Sequence, residues 1–329
     1  MSESQPDAMH TDLLFAGTVF CDVVFSGVPV PSAGTEVFAD AFSVTPGGVA
    51  NRAVAAARLG SKTVLLSQLG DDVLGTHIRS LLQDEPNLDV SHVDVVPGHQ
   101  SPVTVSLTGA HDRSFITYEE SIPGREFPAD LGSVGATHVG IAGDIPSWVA
   151  DLRSHGTVIV GGVGWDSTGE WSPRVLHRLA GVDVFVPNDV EAMKYTRTHD
   201  AVSAARALGD YVELAVVTRG PDGVVAYDSG TGELTEVPAV RVDAVDPTGA
   251  GDVFVASFMA ALDHDWPLEQ KLRFAGLCAS LSVMSLGGAA SAPRPAALAS
   301  FLAEEQPVGD WTCIEEWASA DSRVDIKEK

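Results

Sequence analysis

Lysine and cysteine are scarce in this chain of 329 residues, and acidic residues far outnumber basic ones. Five lysines and fifteen arginines stand against 45 aspartates and glutamates, which gives a formal net charge of −25. A nucleic-acid partner requires a clustered basic surface, so this balance argues against one. It argues equally against an anionic membrane surface, although a few well-placed arginines could still hold an anionic substrate.

The three cysteines, Cys21, Cys278 and Cys313, are odd in number and lack the spacing of a metal site. The sequence contains no run of about 18 consecutive apolar residues. Its first ten residues, MSESQPDAMH, have neither the basic start nor the apolar stretch of a signal peptide. These absences predict a cytoplasmic protein with no membrane partner.

The sequence also lacks several catalytic motifs. No lysine directly follows a glycine, so the Walker P-loop is absent. Neither HExxH nor GxSxG occurs, and the GxGxxG fingerprint of dinucleotide-binding proteins is missing. A metalloprotease, an α/β-type serine hydrolase and a dehydrogenase are therefore disfavoured.

Short apolar runs alternate regularly with helix-like stretches through most of the chain. With 45% apolar and 20% charged residues, the protein can bury a large core. Strand–helix alternation indicates an α/β fold with a mostly parallel sheet covered on both faces. The predicted strands are residues 13–16, 64–66, 139–142, 158–160, 182–186 and 214–217, and the predicted helices are residues 50–59, 76–82, 190–195 and 202–208.

Residues 35–44 and 102–118 depart from this alternation. In residues 103–108, apolar and hydroxyl side chains alternate with period two, which is typical of a strand with one wet face. We predict a small β-sheet lid, made of segments at about 18–45 and 100–120, inserted into a body of residues 12–305; ordinary edge strands are the alternative. Residues 306–329 form an acidic C-terminal tail, expected to pack partly through Trp311, Ile314 and Trp317.

The strongest motif is DPTGAGD at residues 246–252, between a strand-like run at 240–245 and a helix-like stretch. The amides of Gly249, Ala250 and Gly251 are expected at a helix N-terminus, where an anion is stabilised. Asp252 adds a carboxylate there, which suits a general base that activates a hydroxyl toward a phosphoryl group. The alternative is a glycine-rich loop in which Asp252 only begins the helix.

PGGVAN, at residues 46–51, opens an alanine-rich helix. Gly47 and Gly48 let backbone amides approach a ligand, and Asn51 can bond paired sugar hydroxyls, unless the motif is only a strand-to-helix turn. Asp22, expected at the carboxyl end of the first strand, suits the hydroxyls of a polyol. Arg113, between the predicted lid strands, could close over an anionic group or simply be solvated.

Two further motifs follow predicted strands. In NDVE, Asn188 and Glu191 lie on one helix face, where the carboxylate could hold Mg²⁺ or a metal-bound water, or could form a capping box. In VTRGPDG, Thr218, Gly220 and Gly223 leave room for phosphate or form the entrance of a hairpin.

GGVAN, GDDVLG at residues 70–75, NDVE, VTRGPDG and DPTGAGD occur in the order seen in the ribokinase family of PfkB-type carbohydrate kinases. The chain resembles that family over roughly residues 12–303. The resemblance implies a three-layer α/β/α body with a β-sheet lid, which phosphorylates a sugar or nucleoside hydroxyl with ATP and Mg²⁺. Homodimers formed through the lid are a further implication.

The resemblance also assigns roles to individual residues. Asp252 matches the catalytic base, and residues 249–251 match the anion hole. Asp246 and Thr248 resemble a loop that binds a monovalent cation, such as K⁺, in some members. The matched substrate-binding positions are Asp22, Gly47, Gly48 and Asn51, and the matched nucleotide, phosphate and Mg²⁺ positions are Asn188, Glu191, Thr218, Gly220 and Gly223.

Departures from the family pattern narrow the range of expected substrates. Val49 stands where ribokinases proper and phosphosugar kinases often carry lysine, which argues against ribose and phosphorylated sugars. Gly276 stands where several relatives offer Asn or His near adenine, so we expect backbone and apolar contacts there. The prediction is an ATP-dependent kinase of a sugar-like alcohol. The alternatives are a nucleoside kinase, whose base stacks on lid aromatics such as Phe38, Phe42 and Phe115, and a non-catalytic sugar-binding regulator.

Overall fold

The computed structural model describes residues 10–108, 113–120, 126–285, 287 and 291–321. Strands in these ranges form a ten-stranded sheet and a separate four-stranded sheet. The large sheet contains β1 (His10–Ala16), β4 (Thr63–Gly70), β5 (Leu88–Asp89), β6 (Val93–Val96), β9 (Ser133–Gly140), β10 (Val158–Gly162), β11 (Val184–Phe185), β12 (Leu214–Thr218), β13 (Val224–Asp228) and β14 (Leu234–Val237). The small sheet contains β2 (Val19–Ser26), β3 (Ala41–Gly48), β7 (Val103–Thr108) and β8 (Arg113–Tyr118).

The large sheet has the order β14-β13-β12-β11-β10-β9-β1-β4-β5, with β6 also paired to β4. All its pairs are parallel except β12–β13 and β13–β14, which form an antiparallel edge. β1 pairs with β4 on one side and with β9 on the other, so the strand order reverses at β1. In open α/β sheets, ligands bind at the carboxyl ends of the strands at such a reversal.

Helices cover both faces of the large sheet, as the alternation predicts. One face packs on a core that includes α1, α6 and α7, and the other on a core that includes α4 and α5. The helices are α1 (Val49–Arg58), α2 (Val73–Gln83), α3 (Trp148–Ser154), α4 (Asp189–Thr196), α5 (Ala201–Leu208), α6 (Ala250–Ala261), α7 (Leu268–Ser282), α8 (Pro295–Glu305) and α9 (Thr312–Asp321). None of the helices in the described ranges is both long and apolar enough to cross a membrane.

Small side chains let α1 approach α6 closely. Ala50, Ala53 and Ala57 of α1 are fully buried, and α6 is buried around almost its whole circumference. Such a helix is typical of a protein interior. Because the two helices pack together, their N-terminal turns lie next to each other at one edge of the large sheet.

The structure confirms the separate small β-sheet that the sequence predicts. β2 pairs antiparallel with β3 and parallel with β7, and β7 pairs antiparallel with β8. The period-two pattern gives this sheet two distinct faces. Cys21, Val23 and Val103 lie on the face that packs against the body, and Asp22 lies on the other face, level with Thr104 of β7.

Three details differ from the expectations. Asp22 lies in the middle of β2 rather than at the end of the first strand. Residues 35–39 form no strand, since the Thr35 amide and hydroxyl both donate to the Ser32 carbonyl in a turn. Residues 240–245 form no strand either, because the amides of Val245 and Asp246 donate to the Val283 carbonyl after α7.

The C-terminal region packs against the body as far as α9. Trp311 and Ile314 are buried, and the ring of Trp317 lies 5.0 Å from that of Phe274 in α7. Residues 322–329 of the predicted tail lie outside the described residues.

Candidate active site

A cavity of about 700 Å³ lies where the strand order reverses. Its lining includes Gly17 after β1, Ser67 in β4 and His138 in β9. Glu119 and Glu120, which follow β8, border it from the side of the small sheet. The cavity thus separates the carboxyl ends of the parallel strands from the small sheet.

The N-terminus of α6 is shaped for an anion. Gly249 precedes the helix with φ of 76°, a left-handed conformation that glycine adopts without strain. Among the described residues, no side chain caps this end of α6. The amides of the first helical turn have no partner within the helix, and the helix dipole adds partial positive charge. The segment around Gly249, Ala250 and Gly251 therefore retains the geometry that the sequence predicts.

Asp252 lies in this first turn and contacts α1. The Asn51 Nδ2 donates a hydrogen bond to Asp252 Oδ2 at 3.1 Å. The Arg52 Nη1 forms an ion pair with Asp252 Oδ1. Asn51 is buried, and the Asp252 side chain is 26% exposed, so the carboxylate is held on both oxygens but still reaches solvent.

Asp22 joins this group from the small sheet. Its carboxylate fits against Gly47, where any Cβ would overlap it. Burial, together with the charge of Asp252, raises the pKa of Asp22 to about 6. The structure therefore brings together Asp22, Gly47, Asn51 and Asp252, whose sequence positions span 230 residues.

A second cavity, of about 440 Å³, borders the N-terminus of α6. Thr218, Gly220 and Gly223 line it together with Ala250 and Gly251. The structure thus places the predicted nucleotide-binding turn next to the predicted anion hole. The rest of the lining is mainly apolar and includes Val224, Val240, Phe254, Gly276 and Val283.

Asn188 and Glu191 form the capping box that was the alternative to a metal site. The Asn188 side chain accepts from the Glu191 amide at 2.9 Å, and Glu191 Oε2 accepts from the Asn188 amide at 3.0 Å. Burial raises the pKa of Glu191. Asn188 also forms a parallel bridge to Thr218, which places the pair beside the nucleotide-binding turn. Among the described residues, no hydrogen bond joins the other carboxylate oxygen of Glu191.

Asp246 is buried and ties two loops together. Its Oδ1 accepts from the Thr248 amide at 2.9 Å and its Oδ2 from the Gly287 amide at 3.2 Å. Groups of three or more His, Cys, Asp or Glu with metal-site geometry are absent from the part of the chain that the structure describes.

Two residues, Arg52 and His138, are not predicted from the sequence as parts of this region. Arg52 directly follows GGVAN, and the only local signal is a charge in an otherwise apolar helix. His138 lines the 700 Å³ cavity, and burial and the nearby Arg52 guanidinium hold its pKa well below the usual range. Its imidazole is therefore neutral at neutral pH. Nothing in the residues adjacent to His138 signals this position.

Arg113 is the first residue of β8, and its side chain lies outside the described residues. Its predicted role in closing over an anionic group therefore stays a prediction.

Comparisons with known proteins show the family and the fold. The model of the pfkB family carbohydrate kinases matches residues 29–295. Ribokinase of Bacillus subtilis is 30% identical over 295 residues, which cover 84% of this chain and 94% of the relative. Cytidine kinase of Thermococcus kodakarensis is 30% identical over 253 residues, which cover 74% of this chain and 89% of the relative.

Solved structures show the same fold. A putative ribokinase II from E. coli, in complex with ATP and Mg²⁺, gives a TM-score of 0.75 at 19% identity, covering 89% of this chain and 99% of that one. The α/β body and the separate small sheet agree with this likeness. Since the family model matches most of its length, the chain belongs to the pfkB family of carbohydrate kinases.

Proposed function

We propose that this protein transfers the γ-phosphoryl group of ATP to a hydroxyl of an uncharged sugar or sugar-like alcohol. The observation that carries the proposal is the contact between Asn51 and Asp252, 201 positions apart in the chain, beside the Asp22 carboxyl. The helix that presents Asp252 also borders the second cavity through Ala250 and Gly251. An acceptor alcohol and a nucleotide would therefore meet at the N-terminus of α6.

In the proposed reaction, Asp22 and Asn51 bind the acceptor hydroxyls, with the amides of Gly47 and Gly48 nearby. Asp252 takes the proton of the acceptor hydroxyl. The oxygen of that hydroxyl bonds to the γ-phosphorus, and the bond between the γ-phosphorus and the β,γ-bridging oxygen breaks, which leaves ADP. The amides of residues 249–251 stabilise charge on the transferred group. The small sheet excludes water, which suppresses hydrolysis of ATP.

Cations complete the proposal. Mg²⁺ would neutralise the phosphates, as in other phosphoryl transfers, and Glu191 is placed to hold it through water. Asp246 and Thr248 are the residues that would border a K⁺ site. The donor set suits both ions, since oxygen ligands are those that hard cations prefer.

The charges of the proposed acceptor site favour an uncharged acceptor. Asp22 lies within reach of the negative charge of Asp252, and Arg52 is already paired with Asp252. The first cavity adds Glu119 and Glu120. A phosphorylated or carboxylated acceptor would meet like charges. An alcohol instead supplies hydroxyl donors for the two aspartates.

A nucleoside is the second candidate acceptor. Phe115 is 53% exposed and lies on the same face of the small sheet as Asp22, where it could stack on a base. The similarity to a cytidine kinase supports the same alternative. A panel of sugars and nucleosides, assayed by coupled ADP release, separates the two classes. Ligand-induced thermal shifts without ADP release would instead indicate the non-catalytic sugar-binding regulator.

We also propose a homodimer through the small sheet. On the face opposite Asp22, Cys21 and Val23 pack on the body, but Phe42 and Ile116 of the same face remain 61% and 66% exposed. Exposed apolar side chains on a small sheet are typical of an interface. Sedimentation velocity distinguishes this dimer from a monomer.

Replacing the proposed base tests the reaction directly. We expect Asp252→Asn to lower kcat more than about 10²-fold, because general base catalysis contributes about that much. ATP binding should be nearly unchanged, since the nucleotide cavity is lined by other residues. Asp263→Asn, beyond the opposite end of α6, is the matched control and should leave kcat unchanged. Near-normal turnover in Asp252→Asn would remove this residue from its proposed role.

The raised pKa of Asp22 predicts a pH dependence. Below pH about 6 its carboxyl is protonated and loses the acceptor sites that hold hydroxyls. We therefore expect kcat/KM for the acceptor, measured from pH 5 to 9, to fall on the acid side of about pH 6.

The stability of an Asp22 variant gives an independent check. Because the pKa of Asp22 is raised in the folded protein, ionisation of its carboxyl lowers the free energy of unfolding. The loss begins above the ordinary aspartate pKa and is complete above about pH 6. Asp22→Asn should therefore be more stable than wild type above about pH 6, with the gain lost below the ordinary aspartate pKa. Asp130→Asn, at an exposed turn, should show no such trend. A gain in stability that is the same at all pH values would contradict the assignment.

Gly276 offers a test of the nucleotide cavity. A Cβ at this position of α7 would meet no atom within 4 Å, so a larger side chain can extend into the cavity. We expect Gly276→Leu to raise the KM for ATP at least about tenfold, since the lost adenine contact is apolar burial. The acceptor KM should change little.

Gly276→Ala is the matched control. It should leave the KM for ATP within about twofold and stabilise the protein by about 0.5–1 kcal/mol, because alanine favours the helix. An unchanged KM for ATP in Gly276→Leu would place the nucleotide elsewhere.

A further inference from the structure

Two adjacent residues of α1 hold the Asp252 carboxylate, one on each oxygen. Asn51 Nδ2 donates to Oδ2 at 3.1 Å, and Arg52 Nη1 pairs with Oδ1. An ionised carboxylate has about four acceptor sites. Two of them therefore remain for an acceptor hydroxyl, while the two contacts fix the plane of the group.

The Arg52 guanidinium is oriented by its ion pair with Asp252. The Arg52 side chain is 21% exposed, and its Nε is buried without a hydrogen-bond partner among the described residues. Within the described ranges, Arg52 is the only basic residue whose ion pair reaches Asp252. The pair with Asp252 is therefore the polar interaction that orients the guanidinium.

The surrounding charges make this partner important. The charge of Asp252 contributes to the raised pKa of Asp22, so the two carboxylates repel each other. A guanidinium beside one of them offsets that repulsion. His138, the other nearby basic side chain, cannot replace it, because its imidazole is neutral at neutral pH.

We propose that Arg52 is a positioning residue for phosphoryl transfer, acting through Asp252. It holds the carboxylate plane so that a free acceptor site points at the substrate hydroxyl. The inference rests on the proposed function, since it takes Asp252 as the base. A displacement of about 1 Å at a reacting group costs about 10²-fold in rate. Loss of Arg52 should therefore reduce kcat rather than the binding of ATP.

A double-mutant cycle tests this role. We expect Arg52→Gln to lower kcat about 10- to 100-fold in the wild-type background, with the KM for ATP within about threefold. In the Asp252→Asn background the same substitution should cost less than about threefold, because a residue that acts through another loses its effect with it. Fully additive effects on kcat would overturn the proposal.

Three controls separate positioning from folding. Arg153→Gln breaks another arginine–aspartate pair, with Asp183 at the amino end of β11, and should leave kcat unchanged. Arg52→Lys keeps the charge without the planar fork, so its kcat should lie between those of wild type and Arg52→Gln. If Arg52→Gln fails to fold, the same cycle is run with Arg52→Lys, with thermal unfolding measured for every variant.

The possible results distinguish two failures. Normal turnover in Arg52→Gln, together with a strongly impaired Asp252→Asn, overturns the role of Arg52 alone. An Arg52→Lys variant no better than Arg52→Gln also overturns it, because charge next to Asp252 would then be irrelevant. Normal turnover in Asp252→Asn instead overturns the proposed function itself.

Discussion

The contact between α1 and α6 joins the parts of the site that lie farthest apart in the sequence. Fully buried alanines in α1 let the two helix axes approach, and the first turns of both helices meet at the same edge of the sheet. Each N-terminus carries partial positive charge. The Asp252 carboxylate lies between these termini and receives a hydrogen bond from Asn51. A looser α1–α6 contact would separate the acceptor contacts from the proposed base.

Burial and the negative charge of Asp252 both oppose ionisation of Asp22. Asp22 is held where its ionised form is costly, and it faces the negative charge of Asp252. Such an arrangement lowers the stability of the empty protein, and hydroxyl donors from a bound alcohol would relieve part of the cost. Perturbed groups of this kind are enriched at functional sites. The apolar lining of the second cavity suits the flat, weakly polar face of a nucleobase.

Local patterns predict most of the architecture, because each depends on neighbours in the sequence. Alternating strands and helices give the α/β class, period two in residues 103–108 gives the small sheet, and the glycines before Asp252 give the exposed helix N-terminus. The errors arise where tertiary contacts override local preference. Residues 240–245 have strand-like side chains, but the amide of Val245 is taken by the end of α7.

The site is predictable only in part for the same reason. Asp22 and Asn51 belong to recognisable motifs, whereas Arg52 matters only because α6 brings a carboxylate to it. The burial of His138 arises from packing between strands, and no neighbouring residue in the sequence indicates it. The pair Asn188 and Glu191 shows a different limit, since one spacing serves both a helix cap and a cation site.

The chain passes from the small sheet directly into α1. β3 ends at Gly48 and α1 starts at Val49, with no loop between them, and the Val49 amide donates to the Thr18 carbonyl at 3.1 Å. The chain segments that enter and leave the small sheet, at Thr18 and Val49, are thus joined by a backbone hydrogen bond. Gly48 has φ of 63°, and a Cβ there would lie 2.5 Å from the Thr18 carbonyl oxygen, which leaves no room for a larger residue. The small sheet is therefore joined without a linker to the first turn of α1, which carries Asn51 and Arg52.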